Sequence, residues 1–191
     1  MWKEGTNENT EVIPMASFSE AFTATLQAEG GYVDDPHDPG GETYKGIARS
    51  RNPKWPGWTR IDILKTKNNF PRSLDADTDL QQLVSDLYEV NYWHKVRGDD
   101  ITNQAIANSI FDFAVNAGPI TSAKLAQFAV NAEPDGVIGD TTLGILNKED
   151  PRAFLAVFAL AKIGRYIKIC EGRPDSRKYF YGWVRRTLEG V

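Results

Sequence analysis

The sequence predicts a mostly helical α+β fold with one small β element near its front. Apolar residues recur at helical spacing through most of the chain, whereas residues 32–48 are dense in Asp, Pro and Gly and poor in apolar positions. Gly118-Pro119 and Asp150-Pro151 add strong punctuation between helical stretches.

Taken in order, Ser17 and Glu20 have the spacing of a capping box, and Phe18, Phe22 and Leu26 form the stripe of a first helix that should stop at Gly30-Gly31. Residues 32–48 read as turns and short hairpin strands. Pro53, Pro56, Gly57 and Pro71 make residues 51–73 a loop-rich connection, with at most a short helix around Ile61 and Leu64. From Asp77, Leu80, Leu83, Val84, Leu87 and Tyr88 mark a helical segment ending around Gly98. A further helix is expected from about Thr102 to Ala117, burying Ile106, Ile110, Phe113 and Ala114. Leu125, Phe128 and Ala129 suggest a further helix. The turn Asp135–Asp140 leads into a short helix with Leu143 and Leu146. Asp150 and Pro151 suit the N-cap and first position of the longest helix, striped by Phe154, Phe158 and Ala161. A last amphipathic helix carries Phe180, Trp183 and Val184.

At 191 residues and 21.3 kDa, with 41% hydrophobic and 25% charged residues, the chain can bury a core as one domain or a compact catalytic unit with a small appended module. A net charge of -4 gives no global basic character, so nucleic acid is not the expected partner. The single Cys170 cannot form an internal disulfide. The longest apolar run, 153–161, is too short for a bilayer, so no stable membrane insertion is expected. Charge is uneven: residues 160–191 hold eight Lys/Arg against three Asp/Glu, a net +5 that leaves -9 elsewhere. A basic C-terminal face suits an anionic polymer; the solvated faces of two helices give the same count and are the weightier reading. The first 14 residues are polar without an apolar signal region, so residues 1–16 are expected to be a flexible leader, with Met15 as an alternative start.

Familiar nucleophile, phosphate-loop, dinucleotide and zinc motifs are absent, and His37 and His94 stand far apart. No cofactor and no metal is expected, which leaves acid–base chemistry by carboxylates. Five of these, Glu29, Asp34, Asp35, Asp38 and Glu42, fall within residues 29–42. Most loop acids are simply solvated, but Glu29 continues the stripe Phe18, Phe22, Leu26 and sits in the last helical turn. Partial desolvation and the negative end of the helix dipole both favour its protonated form. A carboxylic acid protonated near neutrality can donate to a leaving oxygen, the task of a glycosidase general acid. Asp38, with no apolar neighbour, should stay ionised as its counterpart. Thr43 is a candidate for holding an attacking water and equally an ordinary strand residue. Tyr32 and Tyr44 flank the acidic turn, where cleft and core weigh evenly; Trp55 and Trp58 fit core packing better.

The string EGGYVDDPHDPGGETYKGIA (29–48) closely resembles the catalytic signature of glycoside hydrolase family 108, the N-acetylmuramidases of phage endolysins and secretion-linked bacterial muramidases. The resemblance continues through NPKWPGW (52–58), FPRSLDAD (70–77) and YWHKVRGDDI (92–101). Residues 105–185, with NSIFDFAVNAG and DGVIGDTTL, look like the type 3 peptidoglycan-binding region that accompanies it. The resemblance implies cleavage of the β-1,4 bond between N-acetylmuramic acid and N-acetylglucosamine, with Glu29 as essential acid. It also implies a lysozyme-like fold with a small β-hairpin and a helical lobe. A looser similarity is to phage-type lysozymes with Glu-x8-Asp-x5-Thr: Glu29 and Asp38 fit the first gap, but Thr43 arrives one residue early and Tyr44 takes its place. Asp34 and Asp35 remain rivals for the second carboxylate, and Asp35 otherwise counts with Tyr32 and Tyr44 as a substrate contact. FAVNAG (113–118) is similar to the helix end bordering the cleft of those lysozymes, which adds Asn116 to the substrate contacts.

The expected organisation is a catalytic region over 17–104 and a peptidoglycan-binding-type helical region over 105–191, packed into one lysozyme-like unit. The expected partner is the glycan strand of peptidoglycan, engaged by a monomer. The resemblance also implies synthesis in the bacterial or host cytoplasm and access to the wall through a holin or a dedicated exporter. Two rival readings are a lytic transglycosylase, which leaves an anhydro sugar, and a non-catalytic wall-binding or secretion-accessory protein.

Overall fold

The computed structural model describes residues 15–26, 31–35 and 41–190. In these, α1 (Phe18–Leu26) leads to a three-stranded antiparallel sheet of β1 (Tyr32–Val33), β2 (Thr43–Tyr44) and β3 (Ile47–Ala48). Then come α2 (Gly57–Leu64), α3 (Thr78–Tyr88), α4 (Gln104–Ala117), α5 (Pro119–Ala129), α6 (Asp140–Leu146), α7 (Pro151–Gly172) and α8 (Arg177–Leu188). A π-helical turn, Glu89–Trp93, and short 3₁₀ turns carry the chain from α3 toward α4. The mostly α, α+β expectation holds, and the β element falls where Asp, Pro and Gly crowd the sequence.

The core is built around α4, whose Ile106, Ala107, Ile110, Phe111, Phe113 and Ala114 are all buried. Each such large apolar side chain contributes about 1.5–3 kcal/mol over remaining exposed. Phe111 meets Phe18 of α1 and Trp93 edge-on, while Phe113 meets Phe158 of α7 in the same way. One hydrophobic cluster therefore runs from Ala16 to Phe158, across the 104/105 boundary. Asp77, Asn103 and Asp150 cap α3, α4 and α7 by accepting from the N–H groups of Leu80, Ile106 and Ala153.

One local expectation changes, and one helix packs polar residues inward. The backbone N–H of Ser17 is bonded at 2.6 Å to Gln104 Oε1, so a partner 87 residues away takes the donor that a capping box would assign to Glu20. On α5 the buried positions are Ser122, Ala123, Ala126 and Gln127, and Phe128 is 63% exposed. Gln127 faces inward because its amide serves the following turn: it donates to Asp135 Oδ1 and Val137 O and accepts from Gly136 N–H. Three hydrogen bonds to one buried amide outweigh the hydrophobic gain of turning Phe128 inward.

The β2–β3 hairpin turns on Lys45 and Gly46, both at positive φ (44° and 76°), the two-residue geometry whose twist matches antiparallel strands. Lys45 tolerates this because its surroundings hold it. Its carbonyl accepts from the Tyr88 hydroxyl at 2.7 Å, and its amine donates to Gln81 Oε1 at 2.6 Å. The sheet is thereby tied to α3.

Candidate active site

Glu29 and Asp38, the predicted acid and its ionised counterpart, lie outside the described residues, as do His37 and the first half of the Gly30-Gly31 stop. What the structure describes is their frame. Tyr32 pairs with Tyr44 and Val33 with Thr43, while Thr43 pairs with Ala48 and Tyr44 with Ile47, so the residues flanking the acidic loop are set by the sheet register.

Because successive strand residues face opposite ways, Thr43 and Tyr44 have different fates. Tyr44 is 1% exposed; its hydroxyl donates to Asp75 Oδ1 and accepts from Gln81, and burial pushes its pKa up to about 12. The ring therefore packs as core and has no face to offer a sugar, which corrects the expectation of a cleft contact. Thr43 is half-buried, and its hydroxyl donates to Gly41 O at 3.2 Å. Trp55 and Trp58 are core, as expected, with rings edge-to-face at 5.2 Å and indole N–H groups bonded to Leu83 O and Asn52 O.

Tyr32 is half-buried, its ring 4.8 Å from that of Phe70. Its hydroxyl lies 3.1 Å from Glu42 Oε1 and 3.4 Å from Asp34 Oδ2. Asp34 and Asp35 are both exposed, directly after β1. Of the sequence-predicted residues, the sheet thus brings together Tyr32, Asp34, Asp35, Thr43 and Tyr44. Asn116 stands apart on the last turn of α4, exposed, with its amide donating to Asp112 O at 2.7 Å.

Glu42 is the residue whose role the sequence leaves unread. Its side chain is 11% exposed and accepts from Arg49 and Lys65, each at 2.8 Å, as well as from Tyr32. Burial alone would raise its pKa, but the hydrogen bonds from Lys65, Arg49 and Tyr32 prevail and hold the carboxyl below its usual range. Arg49 reaches on to Asp62 of α2 through both nitrogens, at 2.8 and 2.7 Å, and this guanidinium lowers the Asp62 pKa in turn. Tyr32, Glu42, Arg49, Asp62 and Lys65 form a closed network that fastens the front of the sheet to α2. The signal was the spacing of acids and bases across 42–65, which cannot say which of them meet.

Comparison with known proteins follows this geometry. Residues 22–118 match the family model described as Glycosyl hydrolase 108, and residues 119–188 match one described as Predicted Peptidoglycan domain. The two meet at Gly118-Pro119, between α4 and α5. Among solved structures, that of Brucella abortus SagA is similar over 91% of this chain and 90% of its own, with 29% identity and a TM-score of 0.65. No curated protein matches.

Proposed function

Since the chain belongs to the glycosyl hydrolase 108 family and is a glycoside hydrolase of peptidoglycan, we propose that it is an N-acetylmuramidase with Glu29 as general acid. Glu29 protonates the oxygen bridging N-acetylmuramic acid and N-acetylglucosamine as that bond breaks. A second carboxylate, best Asp38, stabilises the oxocarbenium-like transition state or activates the water that completes hydrolysis. Thr43 assists by orienting that water, and Tyr32 borders the acidic loop with Asp35. The working unit is a monomer on a glycan strand.

The observation that carries this reading is the engagement of Glu42. A general acid must hold a proton near neutrality, and a carboxylate bonded to two cations and a phenol does not. Asp34 and Asp35 are exposed directly after β1. Glu29 alone among the five acids continues an apolar helix stripe, and Phe18 and Phe22 of that stripe pack on the core.

Glu29→Gln should abolish release of muropeptides from purified sacculi while leaving the circular dichroism spectrum and unfolding midpoint unchanged. Undiminished release refutes the assignment. Mass spectrometry of the wild-type digest should find reducing N-acetylmuramic acid ends; anhydro ends would make the protein a lytic transglycosylase, and binding without release would make it a wall-binding protein.

A further inference from the structure

Between α4, α7 and α8 lies a cavity of about 170 Å³ whose wall includes Asp112, Asn116, Lys162, Tyr166, Trp183 and Arg186. Lys162 is 6% exposed, in the middle of the longest helix. Its amine donates to Ser109 Oγ at 3.0 Å and sits 4.4 Å from the ring centroid of Phe158 and 5.3 Å from that of Phe113. Among the described residues no carboxylate lies within ion-pairing distance of it. Asp112 is the acid that faces it, but that carboxylate is already held by Arg186 at 2.7 Å and by the Asn116 amide at 3.3 Å.

A buried ammonium without a counter-ion is costly, and aromatic faces compensate only part of what water supplied. Lys162 lines the cavity with its charge uncompensated by a carboxylate of the described residues, so an anion that entered would supply the missing partner. Burial pulls the Lys162 pKa down to about 8, with Asp112 opposing and Arg186 reinforcing the shift, so the amine is still mainly protonated at neutral pH. Arg165 also lines the cavity, giving three cations against one acid. The volume is ample for a carboxylate and the atoms next to it. Trp183 packs against Tyr166 at 5.3 Å and Tyr179 at 5.9 Å, forming an aromatic ledge of the kind that carbohydrate or peptide lies along. Asn116 is the exposed residue of the wall.

We propose that this cavity is a subsite for a carboxylate of peptidoglycan, with the Lys162 ammonium as its counter-ion, Asn116 at its entrance and Trp183 supporting the attached chain. This rests on the muramidase reading for its substrate and concerns binding alone. A carboxylate can come from the peptide stem or, where the stem is missing, from the lactyl group of N-acetylmuramic acid. Either would engage the strand through its charge, favouring natural wall over uncharged glycan.

The test reads binding without turnover. The protein, labelled with 13C at lysine side chains, is titrated through the Lys162 pKa by NMR, alone and with a disaccharide–peptide muropeptide, the product of muramidase action. The Lys162 pKa should rise in the complex, because a bound carboxylate favours the charged amine. The same muropeptide with its carboxylates converted to carboxamides should leave it unmoved. Free stem peptide and peptide-free disaccharide, run separately, identify the source by which of them reproduces the rise. No rise with any carboxylate-bearing probe, or an equal rise with the carboxamide, overturns the subsite even if the protein lyses walls. By calorimetry, Lys162→Met should weaken muropeptide binding about tenfold or more; should it fail to fold, Lys162→Gln is read in the same way, and undiminished binding in a folded variant also overturns the proposal.

Discussion

Lys65, just past the last turn of α2, holds the carboxylate of Glu42 at 2.8 Å, at the threshold of β2. That pair and the neighbouring Arg49 bond fix the strand that follows the acidic loop. On the proposed two-carboxylate mechanism the separation of the carboxyl groups matters, so an anchor of this strand would bear on activity without touching the substrate.

Glu42→Gln should lower stability by about 1–3 kcal/mol, since it removes the partner of two cations that are only about one-third exposed. Urea unfolding at neutral pH measures this. The acid Glu42 is not proposed to donate a proton, so wall lysis should fall only as far as the strand shifts. Total loss of lysis in a folded Glu42→Gln protein would instead make Glu42 a catalytic residue.

The same group sets a pH dependence. Its folded pKa lies below the unfolded value of about 4.3, so its contribution is fully present above that value and is lost as pH falls toward the folded one. Asp62 and Asp77, held down by Arg49 and Arg60, act in the same sense. The urea midpoint should therefore be level from pH 7 to about 5 and drop below about 4. In Glu42→Gln the drop should be shallower.

The second carboxylate can be identified by single Asp→Asn changes at positions 34, 35 and 38. Asp38→Asn should reduce kcat about a hundredfold or more, and Asp34→Asn or Asp35→Asn less than about tenfold. The reverse order would transfer the role to the residue that follows β1.

Asp77 serves α3 twice: it caps the helix through Leu80 N–H at 2.9 Å and receives Arg60 at 2.9 and 3.0 Å. Asp77→Ala should cost about 1–2 kcal/mol by chemical denaturation, and Asp77→Asn, which keeps the cap acceptor, distinctly less.

Gly98→Ala should destabilise by about 1–3 kcal/mol, because the added methyl would run into the Trp93 indole. That ring is fully buried and pinned by its N–H bond to Asp99 at 2.8 Å, so it cannot swing aside. Thermal unfolding gives the measure; an unchanged midpoint would mean the ring repacks freely.

Much of the fold was legible in the sequence. Periodicity marked α3, α4 and α7, and Asp150 announced the cap of α7, because a cap and its N–H partner lie within one helical turn. The hairpins were legible as a place, from their Asp, Pro and Gly, though not as a register. Phe128 marked α5, but which residues of that helix face inward was not legible: the polar Gln127 holds the inward position through its bonds to residues 135–137. Ser17 misled, its N–H being claimed by Gln104.

By itself the sequence determined which segments coil, where the acids gather and, through its long likeness to one hydrolase family, what class of polymer the protein cuts. These follow from short-range rules and from motifs that are read in one dimension. Tertiary structure decided the fate of each side chain within them: Tyr44 sealed into the core, Glu42 held by Arg49 and Lys65, Lys162 buried beside Phe158 with no carboxylate of the described residues in ion-pairing reach. Burial and ion pairing depend on distances between residues far apart along the chain, and only packing sets those.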